Sequence, residues 1–269
     1  MKGRLLMARA LILYFSQGGH TKGLAERLSE KLRENGITSD MMAVPWERPA
    51  DLSDYRLIFI GTPLYYGREP LIWKDYISKL PDMSGKPGFL FSTYGAEGTK
   101  RPDRFMAENL KQYFWGKGLK LLSNHGITCE DTWPPLKKLG YGQGRPDRDD
   151  LDGFDKYIGN VLNEWKTGRI DRAMYDVSIR LEGSKVINFL LGIWLRIVPK
   201  PAIDVDKCIK CQACIKSCPA GNIEAGSTMR IGPRCIKCME CERICTHGAV
   251  RTNWALIDKM MHLYAGKKK

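Results

Sequence analysis

Eight of the nine cysteines lie between positions 208 and 245, in two runs of identical spacing. The first run is Cys208-x-x-Cys211-x-x-Cys214-x-x-x-Cys218, and the second is Cys235-x-x-Cys238-x-x-Cys241-x-x-x-Cys245. Three thiolates at steps of three residues allow one tight loop to place three sulfurs around an inorganic cubane, whereas the fourth lies too far along the chain to join them comfortably. The spacing therefore predicts two [4Fe–4S] clusters that carry electrons.

Zinc is the competing interpretation of these thiols. Structural zinc sites usually combine two Cys-x-x-Cys pairs around one tetrahedral ion, rather than triplets with a trailing fourth cysteine. Two tandem runs of the triplet kind favour iron–sulfur ligation. Clustered thiols need a reducing compartment, and the N-terminal stretch lacks the pattern of a signal peptide, so we expect a cytoplasmic protein.

Residues 201–252 resemble a bacterial-type two-cluster ferredoxin. The resemblance includes a pseudo-repeat, in which the segment PAGNI after Cys218 corresponds to the segment THGAV after Cys245. In such ferredoxins the fourth cysteine of each run ligates the cluster of the other run. The resemblance implies one cluster on Cys208, Cys211, Cys214 and Cys245, and another on Cys235, Cys238, Cys241 and Cys218. Thr246 stands where these ferredoxins usually have proline, and its extra hydrogen-bonding groups are expected to alter the potential of the nearby cluster.

The chain is basic, with a formal net charge of +13, and the C-terminal part shares this excess. Bacterial ferredoxins are typically acidic, but here basic residues crowd the cysteine loops: Lys207, Lys210, Lys216, Arg234, Lys237 and Arg243. We therefore expect an acidic redox protein as partner, although a generally basic surface would look the same. No nucleic acid is expected, because stacking aromatics are not interleaved with the basic residues.

A second candidate site lies near the N-terminus, where a loop follows the buried strand predicted over Ala10–Phe15 and precedes a helix predicted over Thr21–Asn35. Its residues are Ser16, Gln17, Gly18, Gly19, His20 and Thr21. Small and hydroxylated residues at a helix N-terminus can bind a phosphate group. The loop matches neither the dinucleotide fingerprint nor a Walker loop, and a glycine-rich turn can also be a simple connection.

Two further loops strengthen this interpretation. One comprises Thr62, Pro63, Leu64, Tyr65, Tyr66 and Gly67, and the other comprises Ser92, Thr93, Tyr94, Gly95 and Gly98. They follow strands predicted over Leu57–Gly61 and Gly88–Ser92. Ligands of open α/β sheets bind at the carboxyl ends of parallel strands, and the aromatic residues suit a flat heteroaromatic ring.

The elements that must position these loops alternate between short apolar runs and amphipathic stretches, which predicts α/β architecture. Two more strands are expected over Ser39–Val44 and Leu119–Leu122. Three more helices are expected over Leu71–Leu80, Arg104–Lys117 and from Asp149 to about Lys166. Five strands with intervening helices predict one doubly wound parallel sheet, followed by a small α+β two-cluster ferredoxin domain.

With its three loops, Met7–Gly168 resembles a flavodoxin. The resemblance implies that the six loop residues after the first strand hold the phosphate of FMN. The later two loops would then border the isoalloxazine, with Tyr65 or Tyr94 stacking on it. Gly18 replaces a threonine of the family's phosphate loop, which removes one hydroxyl contact. A flavodoxin-like fold that has lost its flavin is the alternative.

The predicted domain organisation is 1–168 for the FMN-binding domain, 169–200 for an apolar, basic connector, 201–252 for the ferredoxin domain and 253–269 for a C-terminal helix and basic tail. The apolar part of the connector is shorter than the roughly 20 residues that span a bilayer. It is expected to be a packed connecting helix. Alternatively, Val186–Val198 lies on an anionic membrane, at the inner membrane face.

The combination resembles the fused flavodoxin–ferredoxin proteins of anaerobes and implies electron transfer between the clusters, FMN and a partner. A second hypothesis is a reductase that acts at the flavin on a small acceptor such as a quinone or porphyrin. A third is a carrier held at a membrane surface. The four histidines form no pair or triad by spacing, so no hydrolase or zinc enzyme is predicted.

Overall fold

The computed structural model describes residues 8–65, 69–95, 108–169 and 198–266. The chain divides into two compact units. The first comprises Met1–Asp131 and Tyr141–Val177, and the second comprises Thr132–Gly140 and Ser178–Lys269. Thr132–Gly140 therefore belongs to the second unit, although the sequence pattern placed it within the domain predicted to end at residue 168.

The first unit is built on a five-stranded sheet whose strands are all parallel. The strands are β1 (Arg9–Tyr14), β2 (Thr38–Ala43), β3 (Tyr55–Pro63), β4 (Pro87–Tyr94) and β5 (Lys120–Thr128). Their order across the sheet is β2-β1-β3-β4-β5. This order confirms the doubly wound fold, and it places the point where the winding reverses between β1 and β3.

The central strands are nearly continuous apolar runs because helices cover both faces of a doubly wound sheet. Leu11, Ile12 and Leu13 of β1 are fully buried, and Phe59 of β3 packs on Phe89 of β4 with ring centroids 5.3 Å apart. The edge strands β2 and β5 are mostly half-buried. The core therefore fixes β1, β3 and β4 most firmly, and these are the strands whose ends carry the predicted loops.

Four helices of the described residues pack within the first unit: α1 (His20–Glu34), α2 (Ile72–Ser78), α3 (Glu108–Trp115) and α5 (Arg148–Lys166). The predicted apolar face of α1 is confirmed, since Leu24, Ala25, Leu28 and Leu32 are buried. The helices α1 and α5 are joined by two hydrogen bonds from the Arg27 guanidinium to the Asp155 carboxylate, at 2.6 and 2.8 Å. At the start of α5, Asp147 and Asp150 form a reciprocal capping box.

The second unit contains two small antiparallel strand pairs. Strand β6 (Ala202–Ile203) pairs with β9 (Val250–Arg251), and β7 (Ile223–Glu224) pairs with β8 (Arg230–Ile231). Its helices are α4 (Pro134–Lys138), α6 (Ala213–Ser217), α7 (Glu240–Arg243) and α8 (Ala255–Gly266). This confirms the small α+β domain predicted for the C-terminal part.

The short helix α4 packs against α8 inside the second unit. The indole of Trp133 meets that of Trp254 edge to face, with centroids 5.2 Å apart and an interplanar angle of 87°. The Lys138 ammonium lies 3.1 Å from the Asp258 carboxylate. A segment between β5 and α5 therefore supplies part of the packing surface for the C-terminal helix.

Residues 170–197, which include most of the predicted connector, lie outside the described residues, as do residues 267–269 of the predicted tail. Among the helices that the structure describes, none combines the length and apolar character needed to cross a bilayer.

Candidate functional site

The loop between β1 and α1 ends at the N-terminus of a long helix. Gly19 precedes α1 with φ of 92°, a left-handed conformation that glycine adopts without a steric penalty. Gly19 at the N-cap position has no side chain that could cap α1, and the first turn of the helix contains no acidic residue. Backbone N–H groups at a helix N-terminus lack helical acceptors and favour a negative charge. The backbone of this loop therefore fits a phosphate group.

The residues of this loop differ in how much of their surface is exposed to solvent. Gly18 and Gly19 are exposed, whereas Ser16, Gln17 and His20 are half-buried. The Ser16 hydroxyl oxygen accepts a hydrogen bond of 3.2 Å from the backbone N–H of Lys22. Ser16 therefore closes the loop back onto the first turn of α1.

Thr21, the last residue of the predicted phosphate loop, is buried rather than open to the loop. Its hydroxyl lies 2.9 Å from the hydroxyl of Thr93 at the end of β4, and both side chains are almost fully buried. In this structure the Thr21 side chain therefore ties the start of α1 to β4, and contacts to a ligand would come from its backbone.

The loop after β3 is anchored in the same way. Thr62 is fully buried, and its hydroxyl oxygen accepts a 2.9 Å hydrogen bond from the indole N–H of Trp73 in α2. The backbone N–H of Leu64 donates to the Thr93 carbonyl at 2.8 Å. Pro63, Leu64 and Tyr65 are half-buried, whereas Tyr66 and Gly67 lie outside the described residues.

The loop after β4 begins with buried residues and then opens. Ser92 is fully buried, and Tyr94 and Gly95 are half-buried. A Cβ atom at Gly95 would lie 2.1 Å from a carboxylate oxygen of Asp131, so this position has room only for glycine. Gly98 lies outside the described residues.

Two tyrosines predicted to stack on a flavin lie at these strand ends. Tyr65 meets Phe15 edge to face, with ring centroids 6.3 Å apart. Burial raises the pKa of Tyr94 above its ordinary value, while a hydrogen bond with Thr128 opposes that shift. Both rings are half-buried, so each is partly accessible to a flat ring that stacks on it.

These three loops converge because their strands are neighbours. Tyr14 of β1 pairs with Gly61 of β3, and Thr62 of β3 pairs with Ser92 of β4. The carboxyl ends of the three strands therefore meet at one edge of the sheet, at the reversal point where ligands of this fold bind.

The two cysteine runs fold as an internal repeat. Cys208 and Cys235 stand 27 positions apart. The same offset relates four residues other than glycine that adopt positive φ: Lys210 (57°) to Lys237 (56°), and Gln212 (62°) to Met239 (60°). Such residues rarely adopt this conformation, which costs about 1–2 kcal/mol each. Its recurrence at matching places identifies a shared loop geometry.

This loop geometry suits an anionic cluster. Alternating left-handed residues turn successive backbone N–H groups toward one concave side, and such concavities bind phosphates and iron–sulfur clusters. The turns after the fourth cysteines also match, because Gly221 and Gly248 have φ of 53° and 59°. Each donates its N–H to the carbonyl of Cys218 or Cys245, respectively, at 3.0 Å.

One cavity of the second unit brings together cysteines from both runs. Cys218 of the first run lines it with Cys235, Cys238 and Cys241 of the second, and the cavity is partly open to solvent. Burial raises the pKa of Cys238 and that of Cys241 to about 12, and the Cys218 thiol adds to both shifts. Four thiols around one cavity are the donor set of a cubane.

The remaining cysteines lie around the other half of the repeat. Cys208, Cys214 and Cys245 belong to one apolar cluster, which also includes Cys218 and Cys241 of the other set, and Cys211 is exposed. Burial raises the pKa of Cys214, with smaller contributions from the Cys208 and Cys211 thiols. Within the described residues, no three His, Cys, Asp or Glu side chains meet around a single metal ion. A cubane differs, because each thiolate binds its own iron atom.

The basic residues near the cysteines differ in their partners. Lys207 forms an ion pair with Asp204 at 2.7 Å, and Arg243 forms one with Glu240. The Lys237 ammonium donates to the Val198 carbonyl. Among the ion pairs of the described residues, none includes Lys210, Lys216 or Arg234, all of which are exposed.

Comparison with known families finds a match in each of two separate parts of the chain. Residues 11–124 match the family model of a flavodoxin domain, and residues 200–246 match that of a 4Fe-4S dicluster domain. The chain joins a flavodoxin domain to a 4Fe-4S dicluster domain. This pairing of a flavodoxin domain with iron–sulfur sites supports an electron-transfer role as an iron–sulfur flavoprotein.

The flavodoxin domain also resembles curated proteins. A protein described as NAD(P)H dehydrogenase (quinone) from Cupriavidus metallidurans is 34% identical over 23% of this chain and 41% of its own length. One with the same description from Gluconacetobacter diazotrophicus is 32% identical over the same shares. The chain thus spans about two fifths of the length of these relatives.

Solved structures similar to this chain include flavodoxins. An oxidised Flavodoxin 2 from Bacillus cereus has a TM-score of 0.46 and 16% identity, covering 58% of this chain and 99% of its own. The TIGR4 flavodoxin of Streptococcus pneumonia has a TM-score of 0.45 and 16% identity over the same shares.

Sequence reasoning did not identify the buried supports of these sites. The Thr21–Thr93 and Thr62–Trp73 hydrogen bonds join residues far apart in the chain, and a threonine in a loop gives no sign of such a partner. The equal spacing of the two cysteine runs was the available signal for the repeated positive-φ positions.

Proposed function

We propose that this protein transfers electrons between FMN, two [4Fe–4S] clusters and an acidic redox protein. The observation that carries the proposal is the cavity in which Cys218 lies with Cys235, Cys238 and Cys241. In ligation of this kind, the fourth cysteine of each run binds the cluster that is held by the first three cysteines of the other run. It leaves Cys208, Cys211, Cys214 and Cys245 as the second set of four.

The residues of the flavodoxin domain support FMN as the flavin. The loop before α1 offers a helix N-terminus with exposed Gly18 and Gly19 to a phosphate. Tyr65 and Tyr94 lie at the ends of neighbouring strands and would border the ring system. Buried hydrogen bonds stabilise these loops. The Trp73 indole donates to Thr62, and the hydroxyls of Thr93 and Thr21 bond to each other.

Joining the two domains on one chain has a physical advantage. FMN accepts one or two electrons and each cluster carries one, so together they divide a two-electron transfer into single steps. A covalent connection raises the effective concentration of one domain at the other and removes a docking step.

Charge complementarity supports an acidic partner. Lys210, Lys216 and Arg234 are exposed around the cysteines and take no part in the ion pairs of the described residues. Charges of this kind steer an oppositely charged protein and raise the association rate more than they raise affinity.

The test is anaerobic reconstitution with iron, sulfide and FMN, followed by stepwise reduction observed by optical and EPR spectroscopy. We expect about eight irons per chain from two cubanes, and one FMN with a separate optical signal. Electrons added to the clusters should reach the flavin. Two irons without acid-labile sulfide would contradict the iron–sulfur assignment, and a protein that never retains FMN would contradict the flavin assignment.

A second function is direct reduction of a small acceptor at the flavin, fed by the clusters. The observation that favours it is the similarity of the flavodoxin domain to proteins described as quinone dehydrogenases. Purified holoprotein with dithionite and a soluble quinone, or a porphyrin, would turn over repeatedly if this function holds. The control replaces the cluster ligand Cys238 with alanine. If this variant turns over at the wild-type rate, the clusters do not supply the electrons for the reaction at the flavin.

A cytoplasmic location stays a prediction. A peripheral membrane contact through Val186–Val198 is a prediction as well, because most of this segment lies outside the described residues. Flotation with anionic liposomes tests the contact. The wild-type chain should float and a Trp194→Glu variant should not. If both stay in the dense fraction, the membrane contact is wrong.

A further inference from the structure

The two cysteine loops differ in exposure at equivalent positions. The first cysteine loop is residues 205–212, and the second cysteine loop is residues 232–239. Ile209, Lys210 and Cys211 of the first are exposed, whereas Ile236, Lys237 and Cys238 at the matching positions are half-buried. Gln212 is exposed, and its counterpart Met239 is only 4% exposed. Because their backbone conformations match, this difference comes from what covers each loop.

The second cysteine loop is covered from within its own unit. Lys237 donates a hydrogen bond to the carbonyl of Val198, itself almost fully buried. Met239 is buried, and its sulfur lies 3.5 Å from the hydroxyl of the buried Thr252. A partner protein therefore has less access to the chain from Ile236 to Met239 than to the first cysteine loop, although Arg234 at the start of the second loop is exposed.

The first cysteine loop instead presents apolar and positive groups to solvent. Ile209 is 59% exposed and Val205 is 51% exposed, and the two apolar residues lie only four positions apart in the same loop. Lys210 lies next to the exposed Cys211, and Lys216 is exposed on the following helix α6. Apolar residues with a polar rim are the usual composition of a protein interface.

Taken together with helix α6, this loop has a small excess of positive charge once the Asp204–Lys207 pair is set aside, because Lys210 and Lys216 outnumber Asp206. Asp204 is paired with Lys207 at 2.7 Å, and Asp206 is the one exposed acidic residue among residues 205–212. Lys210 and Lys216 take part in none of the ion pairs of the described residues. Two unpaired ammonium groups beside exposed apolar side chains fit a partner whose docking face combines carboxylates with an apolar centre.

We propose that the first cysteine loop is the docking surface for an acidic redox protein, and that the second cysteine loop is the internal one. The proposal rests on the proposed electron-transfer function. It deepens that function by assigning the site of electron exchange with the partner to one half of the repeat. Electrons would enter or leave beside Cys211, and the set containing Cys218 would not exchange electrons directly with the partner.

The test compares charge reversals of the same size at different places in the dicluster domain. Lys210→Glu and Lys216→Glu change the first cysteine loop and the helix after it. Arg230→Glu makes the same change in net charge at an exposed residue of β8, outside both loops. The probe donor is a reduced acidic two-cluster ferredoxin, and stopped-flow absorbance gives the second-order rate constant at low ionic strength.

We expect Lys210→Glu to lower this rate constant about tenfold and Lys216→Glu to lower it by a smaller factor, because electrostatic steering acts on the association rate. Arg230→Glu should change it by less than about twofold. The differences should shrink at an ionic strength of about 1 M, where screening acts within about 3 Å. Lys210→Gln, which removes the charge without reversing it, should fall between the wild type and Lys210→Glu.

Equal slowing by Arg230→Glu would overturn the proposal in favour of a generally basic surface. Unchanged rates in Lys210→Glu and Lys216→Glu, with full iron content in both, would overturn it as well. Photoreduced 5-deazariboflavin, a small uncharged reductant, separates this proposal from the proposed function. It should reduce every variant at the wild-type rate, and electrons that then fail to pass from clusters to FMN would contradict the electron-transfer function itself.

Discussion

The hydroxyl of Thr21, in the first turn of α1, lies 2.9 Å from the hydroxyl of Thr93, at the end of β4, and both residues are almost completely buried. The bond connects the helix whose N-terminus faces the phosphate loop with the strand that leads into the loop of Tyr94. It therefore fixes the relative positions of two loops that would contact the same flavin.

Removing one partner of this bond should cost more than removing both. We expect Thr21→Val to destabilise the first unit by about 1–3 kcal/mol, because the buried Thr93 hydroxyl is left without its partner. The double variant Thr21→Val/Thr93→Val should recover most of this loss, since two apolar groups of similar shape replace the pair. Hydrogen exchange of the β1 and β4 amides in urea measures the change. Additive losses would contradict a direct interaction.

The phosphate loop can be tested with two glycines at opposite ends of α1. Gly19 and Gly36 have φ of 92° and 75°, and a Cβ at either would meet no atom within 4 Å. Alanine at either position should therefore cost a similar strain of about 1–2 kcal/mol. Only Gly19→Ala should weaken FMN binding, by about tenfold, or about 1.4 kcal/mol. Flavin fluorescence titration of deflavinated protein measures this, and equal affinities of both variants would refute the loop assignment.

Crossed ligation predicts which cysteine substitutions act on the same cluster. Cys218→Ala and Cys235→Ala should each remove about four of about eight irons, and combining them should remove no more than either alone. Combining Cys218→Ala with Cys208→Ala should remove nearly all iron. Iron and acid-labile sulfide analysis after anaerobic purification distinguishes these outcomes. The reverse pattern would mean that each run holds its own cluster.

His125 predicts a loss of stability on mild acidification. Its ring stacks on Tyr157 with centroids 5.0 Å apart, and burial lowers its pKa below the ordinary 6.5, although Asp150 opposes the shift. The unfolded chain therefore takes up the proton more readily, so this contribution to stability is present above pH 6.5 and is lost below it. Thermal unfolding followed by circular dichroism should show a steeper decline from pH 7.5 to 5.5 for the wild type than for His125→Phe. Parallel declines would show that another group is responsible.

The central sheet could be predicted because its strands are apolar runs between turn residues. The sequence pattern placed only the opening of β5, at Leu119–Leu122, whereas the strand runs from Lys120 to Thr128. Ser123, Asn124 and His125 are polar residues in an edge strand, where side chains are only half-buried and the apolar signal is lost. Pairing with β4, which no local pattern reports, extends the strand.

Helix α4 was not predicted, because Pro134 and Pro135 give a turn signal and only five residues form the helix. Its packing on α8 through Trp133 and Trp254 is a tertiary effect that the local sequence does not encode. The left-handed residues of the cysteine loops were not predicted either, since Lys210 and Met239 have no preference for positive φ and only the equal spacing of the two cysteine runs indicated a repeat. The assignment of the eight cysteines to two clusters stays a prediction from their spacing.

The membership of Thr132–Gly140 in the second unit has a practical consequence for dissecting the protein. The chain passes from the first unit to the second at Thr132 and returns to the first at Tyr141, so no single cut of the chain can release the two units intact. A truncation that begins after residue 177 would strip Trp133 from Trp254 and the Lys138 counter-ion from Asp258. A circular permutant or a replacement segment that covers the exposed indole would be needed to obtain the iron–sulfur half as an independent protein.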